Sequence, residues 1–150
     1  MKIEQATIDT LNLVNKIDST FIVDSKLILT LSENLFSYEI ISVSPYKKTY
    51  EYDDTDYSIY VGNKDKAIFY AFEHEELAGQ LIILKYWNTY AYINDIRIAK
   101  EFRGEGIGTA LMLKAIEWAK ENQYIGLEVE TQDVNVKACL FYEKLGFELG

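Results

Sequence analysis

The stretch "EFRGEGIGTALMLKAIEWAKE", residues 101–121, sets three of the chain's 8 glycines (Gly104, Gly106 and Gly108) at the mouth of a helical pattern. Glycine loses more backbone freedom on folding than any other residue, so such a cluster marks main chain that must approach something closely. Behind it, Ile107, Ala110, Leu111, Ala115, Trp118 and Ala119 fall on one helical face that ends near Asn122. A helix start carries unpaired N–H groups and partial positive charge, which together suit an anion. Two nucleotide motifs do not fit. A P-loop needs Lys-Ser/Thr after its last glycine, where this chain has Thr109-Ala110. A dinucleotide fold needs Gly-x-Gly-x-x-Gly between parallel strands, whereas the spacing here is Gly-x-Gly-x-Gly. A tight turn with close packing is the plain structural alternative.

Working outward, "YAYINDIRI" upstream reads as a strand and completes a set of three: Ala67 to Phe72, Leu77 to Tyr86 and Tyr90 to Ile98. The short breaks "EHEE" and "WNT" imply antiparallel pairing. Further upstream, a short opening strand precedes an amphipathic helix over Ile8 to Ile17. "FIVDSKLILTLSENLFSYEIISV" predicts a hairpin broken at Ser32-Glu33-Asn34 and ended by Pro45, and "YEYDDTDYS" an acidic connection. Downstream, "YIGLEVE" is a strand and "DVNVKACLFYEKLG" a helix stopped by Gly146, with a strand starting at Phe147. A β-rich half followed by βαβα predicts an α/β (α+β) domain with a mixed sheet.

With 150 residues, 49% of them hydrophobic, and no Gly/Ser/Pro-rich linker, a single domain over residues 1–150 with a sizeable core is expected. A net charge of -9 argues against nucleic acid and would attract a cationic ligand, though solubility alone is the simpler explanation of it. The single cysteine, Cys139, excludes an internal disulfide, offers no metal cluster and suits a reducing cytoplasm. No apolar run is long enough to span a bilayer and the first residues lack an apolar signal core, so no membrane partner is expected.

Read as Arg-Gly-x-Gly-x-Gly, Arg103 to Gly108 resembles the pyrophosphate loop of the GNAT superfamily of acetyl-CoA-dependent N-acetyltransferases. "LEVETQDVNVKACLFYEKLGF" is similar to that family's next strand and helix, in the right order. Within it, "SPYKKTYEYDD", "YWNTYAYINDI", "IEWAKE" and "ETQDVNVKACLFYEKLGF" resemble the streptothricin acetyltransferases, well over about residues 45–147 and loosely before. The resemblance implies a GNAT-like mixed, mostly antiparallel central sheet flanked by helices. Family members run on past the Gly-Phe pair with a further strand, and this sequence stops at Gly150, so the final strand is expected to be missing, with a homodimer as one consequence.

The same resemblance assigns roles. Backbone groups of Arg103, Gly104, Glu105, Gly106, Ile107, Gly108 and Thr109 would hold the pyrophosphate of acetyl-CoA; Ile96, Arg97 and Ile98 would meet the pantetheine, with the Ile98 N–H as oxyanion donor. Asn135, with Ala138, would bond the pantetheine arm. Tyr142, seven and four residues beyond them on one helical face, is the candidate general acid, core packing being its rival. Glu130, in the "ETQ" segment, is the first candidate for the base and Asp95 the second; both also read as solvated strand ends. Asn94 stands where the family has Glu. A polycationic amine would be met by Tyr46, Tyr50, Trp87, Tyr90 and Asn94, with Asp53, Asp54 and Asp56; the alternative is a solvated acidic loop. His74 reads as a surface residue and Cys139 as a small buried side chain, not a nucleophile. Three functions stay open: acetylation of a streptothricin-type antibiotic, acetylation of a protein N-terminus or polyamine, and acetyl-CoA binding without turnover.

Overall fold

The structure, a computed structural model, describes residues 1–50 and 55–149. In chain order the strands are β1 (Lys2–Gln5), β2 (Phe21–Ser32), β3 (Leu35–Lys48), β4 (Lys66–Glu73), β5 (Glu76–Lys85), β6 (Ala91–Ile98) and β7 (Leu127–Val129). The helices are α1 (Ile107–Glu121) and α2 (Val136–Lys144), with 3-10 turns at Ile8–Leu13, Tyr57–Tyr60 and Lys100–Phe102. Two compact units emerge, Met1–Ser19 with Glu51–Glu130, and Thr20–Tyr50 with Thr131–Gly150.

The first unit is built on a five-stranded sheet ordered β1-β4-β5-β6-β7. Its pairs are antiparallel except β6–β7, which is parallel. His74 and Glu75, with φ of 49° and 67°, make the two-residue turn that reverses β4 into β5. Both faces of the central strands are covered, so β4 and β5 read as near-continuous apolar runs. On one face α1 lies close: a Cβ at Gly79 would stand 2.9 Å from Leu111 Cδ1 and 3.1 Å from Ile107 Cγ2. On the other, Ala6, Tyr60, Ile68, Tyr70 and Ile82 form a core against which Leu11, Leu13 and Val14 pack.

The helix expected over Ile8–Ile17 is instead a 3-10 turn over Ile8–Leu13. Thr10 Oγ1 accepts the Thr7 N–H at 2.9 Å at its start. At its end Asn15 turns left-handed, with φ 61°, and gives its N–H to the buried Gln80 Oε1 at 2.8 Å. That tertiary bond replaces another turn of helix.

In the second unit β2 and β3 form a two-stranded antiparallel sheet. Glu33 and Asn34, with φ of 52° and 64°, supply its turn, at the break the sequence shows. Pro45 does not end the hairpin, because β3 runs on to Lys48. The register shifts from Ser25↔Ser42 to Val23↔Tyr46, which leaves Pro45 in a bulge where its missing N–H breaks no rung. Leu27 N–H donates to Asp133 O at 3.0 Å, tying the hairpin to the segment before α2. Asn135 caps α2, and Gly146, with φ 100°, stops it. The Phe147 N–H closes that stop on Tyr142 O at 3.0 Å, and Phe147–Leu149 form no strand, contrary to expectation. Among the described residues no helix is long and apolar enough to cross a membrane.

Candidate active site

The glycine turn has the geometry its sequence suggests. Gly104 and Gly106 take φ of 82° and 83°, the left-handed region that other residues enter at a cost, and both face open space. No side chain caps α1, and its backbone ladder begins with Ala110 N–H on Gly106 O at 3.1 Å. The N–H groups of Ile107, Gly108 and Thr109 therefore point out of the helix mouth without an intrahelical acceptor. Arg103, Gly104, Glu105 and Gly106 are all exposed. Arg103 Nε bonds Ile98 O at 3.1 Å, fastening the turn to the end of β6.

Beside it, β6 offers an open edge. The Ala99 N–H donates to Ala78 O at 2.8 Å on the β5 side, so by alternation Ile98 and Ile96 turn their own N–H and C=O away from β5. That side is paired with β7 only from Ala91↔Leu127 to Ile93↔Val129. Beyond Ile93 the strands part, and the Ile96 and Ile98 amides face the fork. Asn94 is the extra residue of a bulge, since Ile82 faces Asp95 while Ile83 faces Ile93. Asn94 and Glu130, both exposed, each follow the last registered pair.

Asp95 is engaged elsewhere. Arg97 grips it in bidentate fashion, Nε to Oδ2 at 2.9 Å and Nη2 to Oδ1 at 3.0 Å. Gln80 Nε2 adds a bond to Oδ2 at 2.6 Å. Arg97 Nη1 also reaches Ile17 O at 2.8 Å, and Gln80 holds Asn15 through both ends of its amide. This network ties the residues after the first 3-10 turn to the sheet and uses both carboxylate oxygens. Glu130 is exposed at the fork.

Of the expected acceptor residues in this unit, Trp87 is 82% exposed. The Tyr90 ring lies on Gly126, where a Cβ would meet its Cε2 at 2.9 Å, so packing accounts for it. Asp56 caps the Tyr57–Tyr60 turn, accepting Ser58 N–H at 3.0 Å, and its bonds from Ser58 hold its carboxyl below the usual range. Asp53 and Asp54 lie outside the described residues. His74 is exposed in its turn.

In the second unit Asn135 and Tyr50 come together: Asn135 Nδ2 donates to Tyr50 Oη at 3.2 Å while Oδ1 accepts Ala138 N–H at 3.3 Å. The Tyr50 ring packs on Phe21 at 5.5 Å. Tyr142 is buried, with Phe141 at 5.5 Å and Phe147 edge-on at 5.7 Å. Tyr46 is 48% exposed on β3. The Cys139 thiol donates to Gln132 O at 3.6 Å, and burial raises its pKa, which suits a packed thiol and not a nucleophile.

Sequence reasoning passed over Gln80, the buried amide at the centre of the Asp95 network, and Gly79, which lets α1 approach. It also passed over Tyr86, Tyr92 and Glu128. Tyr86 and Tyr92 meet across the antiparallel β5–β6 hairpin, and Glu128 joins them through the parallel β6–β7 register, for which no local motif exists.

Residues 32–147 match the acetyltransferase (GNAT) family. Streptothricin acetyltransferase A of Bacillus subtilis is 44% identical over 137 residues, 91% of this chain and 79% of that protein. The streptothricin acetyltransferase of Escherichia coli is 37% identical over 133 residues, 89% of this chain and 73% of that one. A Bacillus anthracis protein assigned as a streptothricin acetyltransferase, solved with acetyl coenzyme A, superposes with a TM-score of 0.92 at 37% identity, covering 99% of this chain and 84% of that one. The chain belongs to the GNAT acetyltransferase family, whose acyl donor is acetyl-CoA. It is an N-acetyltransferase with a mixed α/β fold. Uncapped amides in a turn cleared of side chains fit the diphosphate of that donor, and the open β6 edge fits its amide-bearing arm.

Proposed function

We propose that the chain transfers the acetyl group to an amine of a cationic small molecule of the streptothricin type, an antibiotic-resistance activity located in the cytoplasm. The near full-length likeness to streptothricin acetyltransferases carries this reading. The net charge of -9, with Glu130 and Trp87 exposed, adds electrostatic and aromatic attraction for a polycation.

Acetyl-CoA supplies an activated thioester. The amides of Gly104 to Thr109, with Arg103 fastening the turn to β6, hold its diphosphate, and the Ile96 and Ile98 main chain, with Arg97 bracing the strand, aligns its arm. Asn135 and the Ala138 backbone contribute to that arm's binding. The Ile98 N–H donates to the carbonyl oxygen as negative charge develops there. Glu130 removes a proton from the acceptor ammonium, directly or through water, because only the neutral amine is nucleophilic. Asp95 serves as a strut for β6. Tyr142 returns a proton to the departing sulfur. Trp87 and Asn94, both exposed, contact the acceptor.

Release of free CoA thiol, followed with acetyl-CoA and streptothricin, spermidine or a peptide N-terminus, tests the reading. Turnover on streptothricin far above the other acceptors supports it. Preference for the peptide or the polyamine replaces it with another acceptor class. Thermal stabilisation by acetyl-CoA with no thiol release on any amine would leave a binding module.

A further inference from the structure

Where β5, β6 and β7 meet the Trp87 turn, a group of side chains takes no part in the chemistry above. Tyr86 and Tyr92 stack with centroids 4.9 Å apart and planes 19° from parallel. Trp87 lies 6.1 Å from Tyr86 and presents most of its ring to solvent, at 82% exposure. Tyr92 and Glu128 are partners in the parallel register, so both rise from one face, and Glu130 follows on that face two residues later. Lys85 projects from the opposite face by the same alternation. Asn88 Nδ2 donates to Glu128 Oε1 at 2.5 Å, which fixes the carboxylate beside the turn that carries Trp87.

Three rings side by side with anchored negative charge are chemically specific. Ring faces beside carboxylates favour organic ammonium groups over anions or neutral solutes. The Tyr92 phenol supports this setting: burial raises its pKa first, then the Glu130 carboxylate, Tyr86 and Glu128. Tyr92 therefore stays neutral between two carboxylates.

We propose that Tyr86, Trp87, Tyr92 and Glu128 form a docking subsite for a second ammonium group of the acceptor. One charged end of a flexible polyamine-like chain rests on the rings against Glu128, while another amine reaches Glu130 at the fork. The subsite selects acceptors with at least two amines and rests on the reading that the acceptor is a cationic small molecule.

The chain holds two tryptophans, and Trp118 is buried, so Trp118→Phe leaves Trp87 as the sole fluorescent indole and a reporter of this subsite. Streptothricin and, separately, spermine are expected to change its emission, with affinity falling at high salt. Glu128→Gln keeps an oxygen for Asn88 and removes only the charge. In the wild-type background it should raise the streptothricin KM about fivefold at unchanged kcat, while a simple monoamine shifts less than about twofold. If streptothricin is not turned over, the proposed function fails, and the spermine titration of the wild-type and Glu128→Gln chains still decides the subsite. Trp87 emission blind to both polycations, or Glu128→Gln leaving both affinity and KM unchanged, overturns it.

Discussion

Gly106→Ala separates the strain of the turn from its grip on the cofactor. A methyl on Gly106 would meet no atom within 4 Å, so the folded chain suffers only the cost of holding alanine at φ 83°. That cost is about 1 kcal/mol, or a drop in Tm of about 2–4 °C for a chain of this size. The binding penalty is separate. A bound diphosphate must clear the added methyl, and losing one charge-assisted bond to it costs about 1.5–3 kcal/mol, roughly a 10–100-fold rise in acetyl-CoA Kd. Gly62→Ala is the control, because Gly62 has φ 68° and equally open surroundings away from this turn. Titration calorimetry with acetyl-CoA and turnover on a short acetyl thioester lacking the diphosphate give the readouts. Both variants should lose similar stability, only Gly106→Ala should lose acetyl-CoA affinity, and the short thioester should not feel the change. Equal affinities for the two variants would refute diphosphate binding at this turn.

Tyr142→Phe should lower kcat about 100-fold or more and leave acetyl-CoA affinity within about twofold, by stopped-flow and calorimetry; an unchanged kcat would make its packing on Phe147 the whole of its role. Asp95→Asn should cost about 2–4 kcal/mol in urea unfolding, because it strips a carboxylate from Arg97, whose side chain is only 10% exposed. The folded fraction should remain active, whereas a catalytic base at Asp95 would leave it inactive. Burial lifts the Tyr70 hydroxyl to about 12. The folded chain thus keeps a proton that the unfolded chain loses near pH 10, so this part of stability is complete below about pH 10 and is lost as pH rises toward 12. Urea midpoints followed over that window should fall less steeply in Tyr70→Phe; parallel curves would assign the alkaline loss to other groups.

What the sequence revealed was local. Glycines before an apolar helical stripe, Asn135 ahead of α2, Gly146 after it, and short polar breaks between strand-like runs each act within a few residues. Gln80 illustrates what was hidden: a buried amide in an apolar strand, satisfied by Asn15 and by Asp95, whose nearness appears only when the sheet closes. Tyr92 and Glu128 likewise become neighbours through a parallel pairing that spans α1.

The bulge at Asn94 lies between these cases, and its signal is in the sequence. In "AYINDIRI" the apolar positions fall at 91, 93, 96 and 98, so the period of two slips by one at Asn94-Asp95. An uninterrupted strand would send Asp95 and Arg97 to the α1 face with Ile93, and Ile96 and Ile98 to the other. One extra residue instead returns both isoleucines to the α1 face, where Ile98 Cδ1 stands near Gly79, and places Asp95 opposite Ile82, within reach of Gln80. The same insertion bends β6 beyond the end of its β7 pairing, which opens the fork and frees the Ile98 amide. A single register slip thereby makes Asp95 a strut, leaves Glu130 as the carboxylate at the opening, and turns the Ile98 N–H, the proposed oxyanion donor, away from β5.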